Sequence, residues 1–344
     1  MEISSYMGYE LREAIPADLV DIRRVITEVF QNNYSIEYLH WVLENPEDPG
    51  RLNAIVALEN NRIIGVSGYV RARYSTGDLL ITGVHAILLC VLPEYRGGIG
   101  RELFYRVSTL SDVSLIYEGT QDAIRVYPKV GFQRISEVEF YRLRLLPPIA
   151  AEIKPVKKKI RYIGRGIINL AQYYLSLLRI GYEVGHSLEF FPFTLALYPS
   201  YPPRNECISN FPSKETLDWL SRCPGLYSKN YLIKKGGICR GTLFVYIKDH
   251  GGFKTGKIVH IPEMGKNPSS WTGVLSFAEA FLRRQGCRWI NICVHHPTLK
   301  AVLKNKGYSK LNSRKIWILD PKSYFSDKTW HLTYIEGDHG FRGV

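Results

Sequence analysis

The chain has 344 residues, 45% of them hydrophobic, and carries a net charge of +13. The length suits two domains better than one, and the apolar fraction excludes a disordered chain. The positive charge serves either general solubility or a polyanionic ligand or anionic surface, and it argues against a polycationic substrate such as an aminoglycoside or a polyamine.

The six cysteines (90, 207, 223, 239, 287 and 293) form no CxxC pair, so a reduced, cytosolic protein with core thiols is expected. The start, Met-Glu-Ile-Ser-Ser-Tyr, has neither the basic residues nor the apolar run of a signal peptide. No stretch reaches the roughly 18 apolar residues of a spanning helix. A cytoplasmic protein without a nucleic-acid partner is expected.

In chain order, 9–13 reads as a first strand, and 16–30 as a helix with Leu19, Ile22, Val25, Ile26 and Val29 on one face. A second helix covers 36–43. Strands 54–58 and 62–69 flank Glu59-Asn60-Asn61, a hairpin signal. A long apolar strand covers 80–92, followed by helix 98–110, strand 114–117, helix 120–129 and strand 137–145. A β-meander followed by crossovers predicts an α+β (mixed α/β) fold.

Residues 154–182 hold seven basic residues and no acidic one, with Ile163, Ile167, Leu170, Tyr174 and Leu177 at helical spacing. A helical linker over 151–186 is expected, with docking on an anionic membrane surface at its inner face as the open alternative. A second unit, 187–344, repeats features of the first, 1–150. Trp41 precedes Pro46 by five residues, as Trp219 precedes Pro224. Gly65 to Gly131 spans 66 positions (131 − 65), as does Gly241 to Gly307 (307 − 241). Two tandem domains, each with its own mixed, mostly antiparallel sheet, are therefore expected.

The chemistry concentrates between residues 93 and 132. Gly97, Gly98, Ile99 and Gly100 lie between an apolar strand and an amphipathic helix, with Arg96 and Arg101 on either side. Glycines allow close backbone approach, and a helix N-terminus favours a diphosphate. The turn lies mid-domain without Gly-Lys-Ser/Thr, so neither a dinucleotide fingerprint nor a Walker loop fits.

With Pro93, Arg96, Gly98, Gly100 and Leu103, this stretch resembles the GNAT superfamily of N-acetyltransferases. The turn is one residue shorter than the usual form, which puts either Tyr95 or Arg96 beside the diphosphate. Thr120, Ala123, Val126, Tyr127, Lys129, Gly131 and Phe132 also fall at that superfamily's spacing, with Thr in place of Asn. The resemblance implies acetyl-CoA or another acyl-CoA as co-substrate, no metal, and Tyr127 as the acid that protonates the departing thiolate. It places the donor between the strand ending near Val91 and the strand ending near Tyr117. Backbone N–H groups at Leu89, Cys90 and Val91 are expected to polarise the thioester carbonyl. His85 is the first candidate for the base that deprotonates the amine, Glu118 the second, and direct loss of the proton to water the third.

The second unit has Ile261-Pro262-Glu263-Met264-Gly265-Lys266-Asn267-Pro268 in place of the glycine turn, and Leu303 in place of Tyr127. It is expected to be a degenerate copy that binds no donor. The His295–His296 pair lacks further ligand spacing and is not expected to hold a metal. The tail from Trp330 to Phe341, with Glu336, Asp338 and His339, reads as surface, with reach to an acceptor as the alternative. The whole layout resembles GNAT-like proteins encoded with bacterial surface-polysaccharide enzymes, which implies an amino-sugar acceptor, nucleotide- or lipid-linked. An antibiotic or peptide amine, or a non-catalytic CoA-binding or scaffold role, are the alternatives.

Overall fold

The fold was analysed in a computed structural model, which describes residues 8–76, 79–146, 188–194, 198, 207–326 and 329–334. The expected linker and Glu336, Asp338 and His339 of the tail lie outside these residues, whereas Trp330, Leu332 and Tyr334 are buried in the core, which corrects the surface reading for that part of the tail.

The first strands are β1 (Glu10–Glu13), β2 (Ala54–Glu59), β3 (Arg62–Thr76), β4 (Leu79–Val91), β5 (Val113–Tyr117) and β6 (Gln133–Arg144). Among them lie helices α1 (Leu19–Phe30), α2 (Ile36–Leu43), α3 (Ile99–Ser108) and α4 (Gln121–Val130). Helix α1 buries Leu19, Ile22, Val25 and Ile26, the stripe expected from its 3.6-residue spacing, and lies against β3 and β4. Helix α3 buries Leu103, Phe104 and Val107 and packs on β2, β3 and β4. The hairpin between β2 and β3 turns at Asn60 and Asn61, both in the left-handed region that asparagine tolerates.

The later strands are β7 (Leu188–Pro192), β8 (Ile208–Asn210), β9 (Tyr227–Lys235), β10 (Ile238–Asp249), β11 (Lys254–His260), β12 (Cys287–Val294), β13 (Ser309–Leu319) and β14 (Trp330–His331). Helices α5 (Lys214–Ser221), α6 (Pro268–Arg284) and α7 (Pro297–Asn305) accompany them. Among the described residues no helix is long and apolar enough to cross a membrane.

All fourteen of these strands join one sheet, in the main order β1-β2-β3-β4-β5-β13-β6-β12-β11-β10-β9-β7. This corrects the expectation of two separate sheets. Strand β13 pairs antiparallel with β5, and β6 pairs antiparallel with β12. Strand β6 of the first stretch therefore lies beside β12 of the second, β13 of the second lies beside β5 of the first, and β6 and β13 pair along the middle. The exchange also explains why β6 begins at Gln133, four residues before the expected start at 137. Gln133 and Arg134 stand opposite Ile318 and Trp317, so the distant strand supplies their ladder partners.

The matching features noted in the sequence recur as matching geometry. Phe132 N–H donates to Tyr127 C=O at 3.0 Å and Gly131 N–H to Pro128 C=O at 3.1 Å. Tyr308 N–H donates to Leu303 C=O at 2.9 Å and Gly307 N–H to Lys304 C=O at 3.0 Å, so α4 and α7 end alike. Trp41 and Trp219 meet each other. Their rings stack at 5.0 Å with 16° between planes. Trp41 Nε1–H donates to Trp219 C=O at 2.8 Å, and Trp219 Nε1–H donates to Trp41 C=O at 2.6 Å. Both rings are buried, so each indole N–H depends on the other tryptophan's backbone.

Trp219→Phe removes one of these donors from a buried, stacked pair and should cost about 1–3 kcal/mol. Urea unfolding should show a lower midpoint at an unchanged slope. A loss below about 0.5 kcal/mol would mean that the pair does not couple the two stretches.

Candidate active site between two diverging strands

Strands β4 and β5 run parallel, but their register covers only Gly83–Val113, Val84–Ser114 and His85–Leu115. Beyond His85 they part. A cavity of about 390 Å³ opens there, lined by Ala86 to Leu89 of β4, Ile116 and Tyr117 of β5, and Tyr127 of α4. Parallel strands normally stay in register along their length. The parting has a local cause in β4, where the register with β3 shifts between Val66 and Gly68. Leu88 takes φ +51° there, and Leu88 and Leu89 have no partners on β3, which is a β-bulge.

The bulge decides which backbone donors face the gap. Leu92 N–H donates to Ile64 C=O of β3 at 2.9 Å. Alternation along an antiparallel ladder then gives the Cys90 N–H to β3 and turns those of Leu89 and Val91 towards the gap. Of the three expected donors, Leu89 and Val91 are thus suited to a carbonyl oxygen, and Cys90 is not. The Cys90 side chain is buried in the core, and burial pushes its thiol up to about 12.

The glycine turn lies outside the cavity, at the far end of β4. Gly97 takes φ +146°, and a Cβ at either Gly97 or Gly98 would stand in open space. The first turn of α3 carries the N–H groups of Ile99 and Gly100, which have no acceptor within the helix. Arg96 and Arg101 are exposed at this end. Glu59 raises the pKa of the nearby Tyr95 hydroxyl, and of the two residues the shortened turn offers, Arg96 carries the positive charge that suits an anion. A diphosphate fits this cradle on charge, backbone donors and space.

The cavity brings together the three expected catalytic residues, His85, Glu118 and Tyr127, with Thr120 and Ala123. Thr120 caps α4, its hydroxyl accepting the Ala123 N–H at 3.3 Å. Tyr127 is buried, with its ring 5.2 Å from Phe104 and 5.6 Å from Trp317. Its hydroxyl donates to the Glu118 carbonyl at 3.0 Å. Glu118 itself takes φ +52°, a conformation uncommon for a non-glycine residue and frequent at functional sites. Its carboxylate bonds Arg314 Nη1 at 2.6 Å.

His85 is buried, and its Nε2 shares a short hydrogen bond with the Tyr74 hydroxyl. Burial lowers its pKa to about 3, which makes it a neutral hydrogen-bonding group and a weak base near neutral pH.

Sequence reasoning missed three contributors. Arg314 comes from β13 and reaches the cavity only because of the strand exchange. Phe30 arrives from the end of α1. Gly119 lies under the Tyr127 hydroxyl, where a Cβ would collide with Tyr127 Oη. The adjacency Glu118-Gly119-Thr120 before a helix cap was the one local signal available for it.

The corresponding place in the second stretch is built differently. Strands β11 and β12 shift register between Lys254 and Thr255 and then pair from Thr255–Trp289 to Ile258–Ile292, a longer ladder than that of β4 and β5. Helix α6 is closed by its own residues. Pro268 lacks an N–H, and the Asn267 side chain accepts from Ser269 N–H at 3.0 Å and from its hydroxyl at 2.8 Å.

Residues 50–134 match the acetyltransferase (GNAT) domain family. No curated protein matches the sequence. A GCN5-related N-acetyltransferase from Anabaena variabilis has a similar structure, with a TM-score of 0.58 at 12% identity over 91% of this chain and 72% of that one. The Saccharomyces cerevisiae N-myristoyltransferase with bound myristoyl-CoA gives 0.56 at 11% identity over 93% and 80%. A GCN5-related N-acetyltransferase from Kribbella flavida gives 0.52 at 11% over 92% and 72%. At these identities the likeness is one of fold, a mixed α/β GNAT-like fold.

The buried His85 makes stability depend on pH in a defined direction. The unfolded chain takes up this proton near pH 6.5, whereas the folded chain resists it down to about pH 3. The stabilisation is therefore complete above pH 6.5 and is lost as pH falls below it, by about 2 kcal/mol at pH 5. His85→Gln should flatten the difference between urea unfolding at pH 7.5 and pH 5 by about that amount. An unchanged difference would contradict the burial argument.

Proposed function

We propose that this chain is an acyl-CoA-dependent N-acyltransferase that acylates a small primary amine, with an amino-sugar as the first class of acceptor. The observation that carries the reading is the cavity at the parting of β4 and β5, with Leu89, Glu118 and Tyr127 on its wall. A glycine turn with backbone donors and two arginines stands at the far end of the same strand. The donor supplies an acyl group activated as a thioester. Gly97, Gly98, Ile99 and Gly100, with Arg96 and Arg101, are suited to hold its diphosphate.

The N–H groups of Leu89 and Val91 would then accept the charge that develops on the carbonyl oxygen. The amine loses a proton to a base and forms a bond to the carbonyl carbon, and the carbon–sulfur bond breaks. Glu118 suits the base role better than His85. Its carboxylate is part-exposed and lines the cavity, whereas the imidazole is too weak a base near neutral pH. The positive charge of an incoming ammonium also favours the carboxylate. Tyr127 supplies the proton to the departing sulfur, giving up its bond to the Glu118 carbonyl as it does so. Gly119 leaves room for that hydroxyl.

We place the donor in the first stretch only, because the α6 terminus is capped by Asn267 and Leu303 stands where Tyr127 does in α4. The aromatic wall of Phe30 and Tyr117 beside the Glu118–Arg314 pair suits a polar ring carrying an amine. The net charge of +13 suits an acceptor linked to a phosphate.

Thiol release from acetyl-CoA, measured across a panel of amines that includes amino-sugars, tests the activity. Tyr127→Phe should lower kcat roughly 100-fold with little change in donor KM, since a positioned acid contributes about that much. Full rate in this variant would remove Tyr127 from the acid role. Glu118→Gln should lower kcat with little change in donor KM, whereas an unchanged kcat would assign deprotonation to water. Tight CoA binding without turnover of any amine would instead favour a binding protein.

A further inference from the structure

Away from the cavity, Cys207, Glu263 and His296 each offer a donor atom, and the three atoms lie within 4.8 Å of one another. All three residues are buried. They come from separate parts of the chain. Cys207 directly precedes β8, Glu263 follows β11, and His296 stands between β12 and α7. Burying a thiol, a carboxyl and an imidazole together costs free energy that a shared cation offsets.

His331 supplies an independent observation. Its ring lies 6.0 Å from that of His296, and the residue is 1% exposed. Its Nε2–H donates to the Ile261 carbonyl at 2.6 Å, which leaves Nδ1 as the lone-pair nitrogen. That Nδ1 is buried and meets no hydrogen-bond partner among the described residues. An imidazole with one nitrogen fixed by a backbone carbonyl and the other presented as a lone pair is the arrangement of a metal ligand.

We propose that Cys207, Glu263 and His296 bind a zinc ion, with His331 Nδ1 as the fourth ligand. A donor set of one sulfur, two nitrogens and one oxygen matches four-coordinate zinc and suits neither calcium nor magnesium, which take oxygen. Ligands at zinc distances stand roughly 3.4 Å apart in a tetrahedron, so the site closes on binding and His331 moves towards His296. Cys207 releases its thiol proton to solvent as the sulfur–zinc bond forms, and nothing is oxidised or reduced. The ion is structural. It ties the β8–β14 pair, which joins Ile208 to Trp330, to the ends of β11 and β12. Strand β8 also pairs with β3 at Tyr74 and Ser75, so the ion secures a connection that reaches the strand beside the cavity.

The test uses the full chain purified without a histidine tag and does not depend on acyl transfer. Elemental analysis should find about one zinc per chain, and removing it with a chelator should lower Tm, with recovery when zinc is restored. Cobalt in its place should give a thiolate-to-metal charge-transfer band that Cys207→Ser abolishes while far-ultraviolet circular dichroism is retained. His331→Asn should weaken zinc binding at least 10-fold, and this variant decides the matter if the serine variant fails to fold. A wild-type chain that binds neither zinc nor cobalt, or a cobalt band that survives Cys207→Ser, would overturn the proposal.

Discussion

The parting of β4 from β5 is the constraint on which the rest of the candidate site depends. Three residue pairs hold the two strands together, and after His85 and Leu115 the ladder stops. Everything assigned to acyl transfer sits in or beside the resulting gap. The bulge at Leu88 bends β4 away and sets which N–H groups face inwards. Helix α4 brings Tyr127 to one wall, and Phe104 of α3 backs it. Had the bulge been absent, the donors of Leu89 and Val91 would serve an ordinary ladder and the gap would close.

The exchange of β6 and β13 completes that gap from a distance. Strand β13 covers the edge of β5 and delivers Arg314 to Glu118 at 2.6 Å. The backbone does the same at Glu118 N–H, which donates to Lys315 C=O at 2.8 Å. Residues separated by about two hundred positions thus form one wall, and neither stretch would make the whole cavity alone. The Trp41–Trp219 pair ties the same two stretches together at a second place.

Much of this was legible in the sequence because it is local. The stripe on α1, the glycine turn, the Thr120 cap and the Tyr127–Phe132 run each express themselves within a dozen residues. What was not legible required pairing across the chain. The sequence showed matching tryptophans and equal glycine spacings but could not show that the two stretches would share one sheet. Arg314 lies in a strand with no motif, and its role follows only from the exchange. His85 was readable as a candidate base from its usual pKa, yet the burial that disqualifies it from being protonated near neutrality is a property of the packed strand. The cluster of Cys207, Glu263 and His296 has no spacing signature, since each ligand comes from a different element.

The central claim is that the gap between β4 and β5 receives the acyl donor and that the related place between β11 and β12 does not. A crystal structure of the chain soaked with coenzyme A tests it most directly. The account predicts the diphosphate on the N–H groups at Gly97 to Gly100 and the pantetheine running between β4 and β5, with its sulfur within reach of the Tyr127 hydroxyl. Coenzyme A bound beside α6 instead, or lying away from the glycine turn, would contradict it.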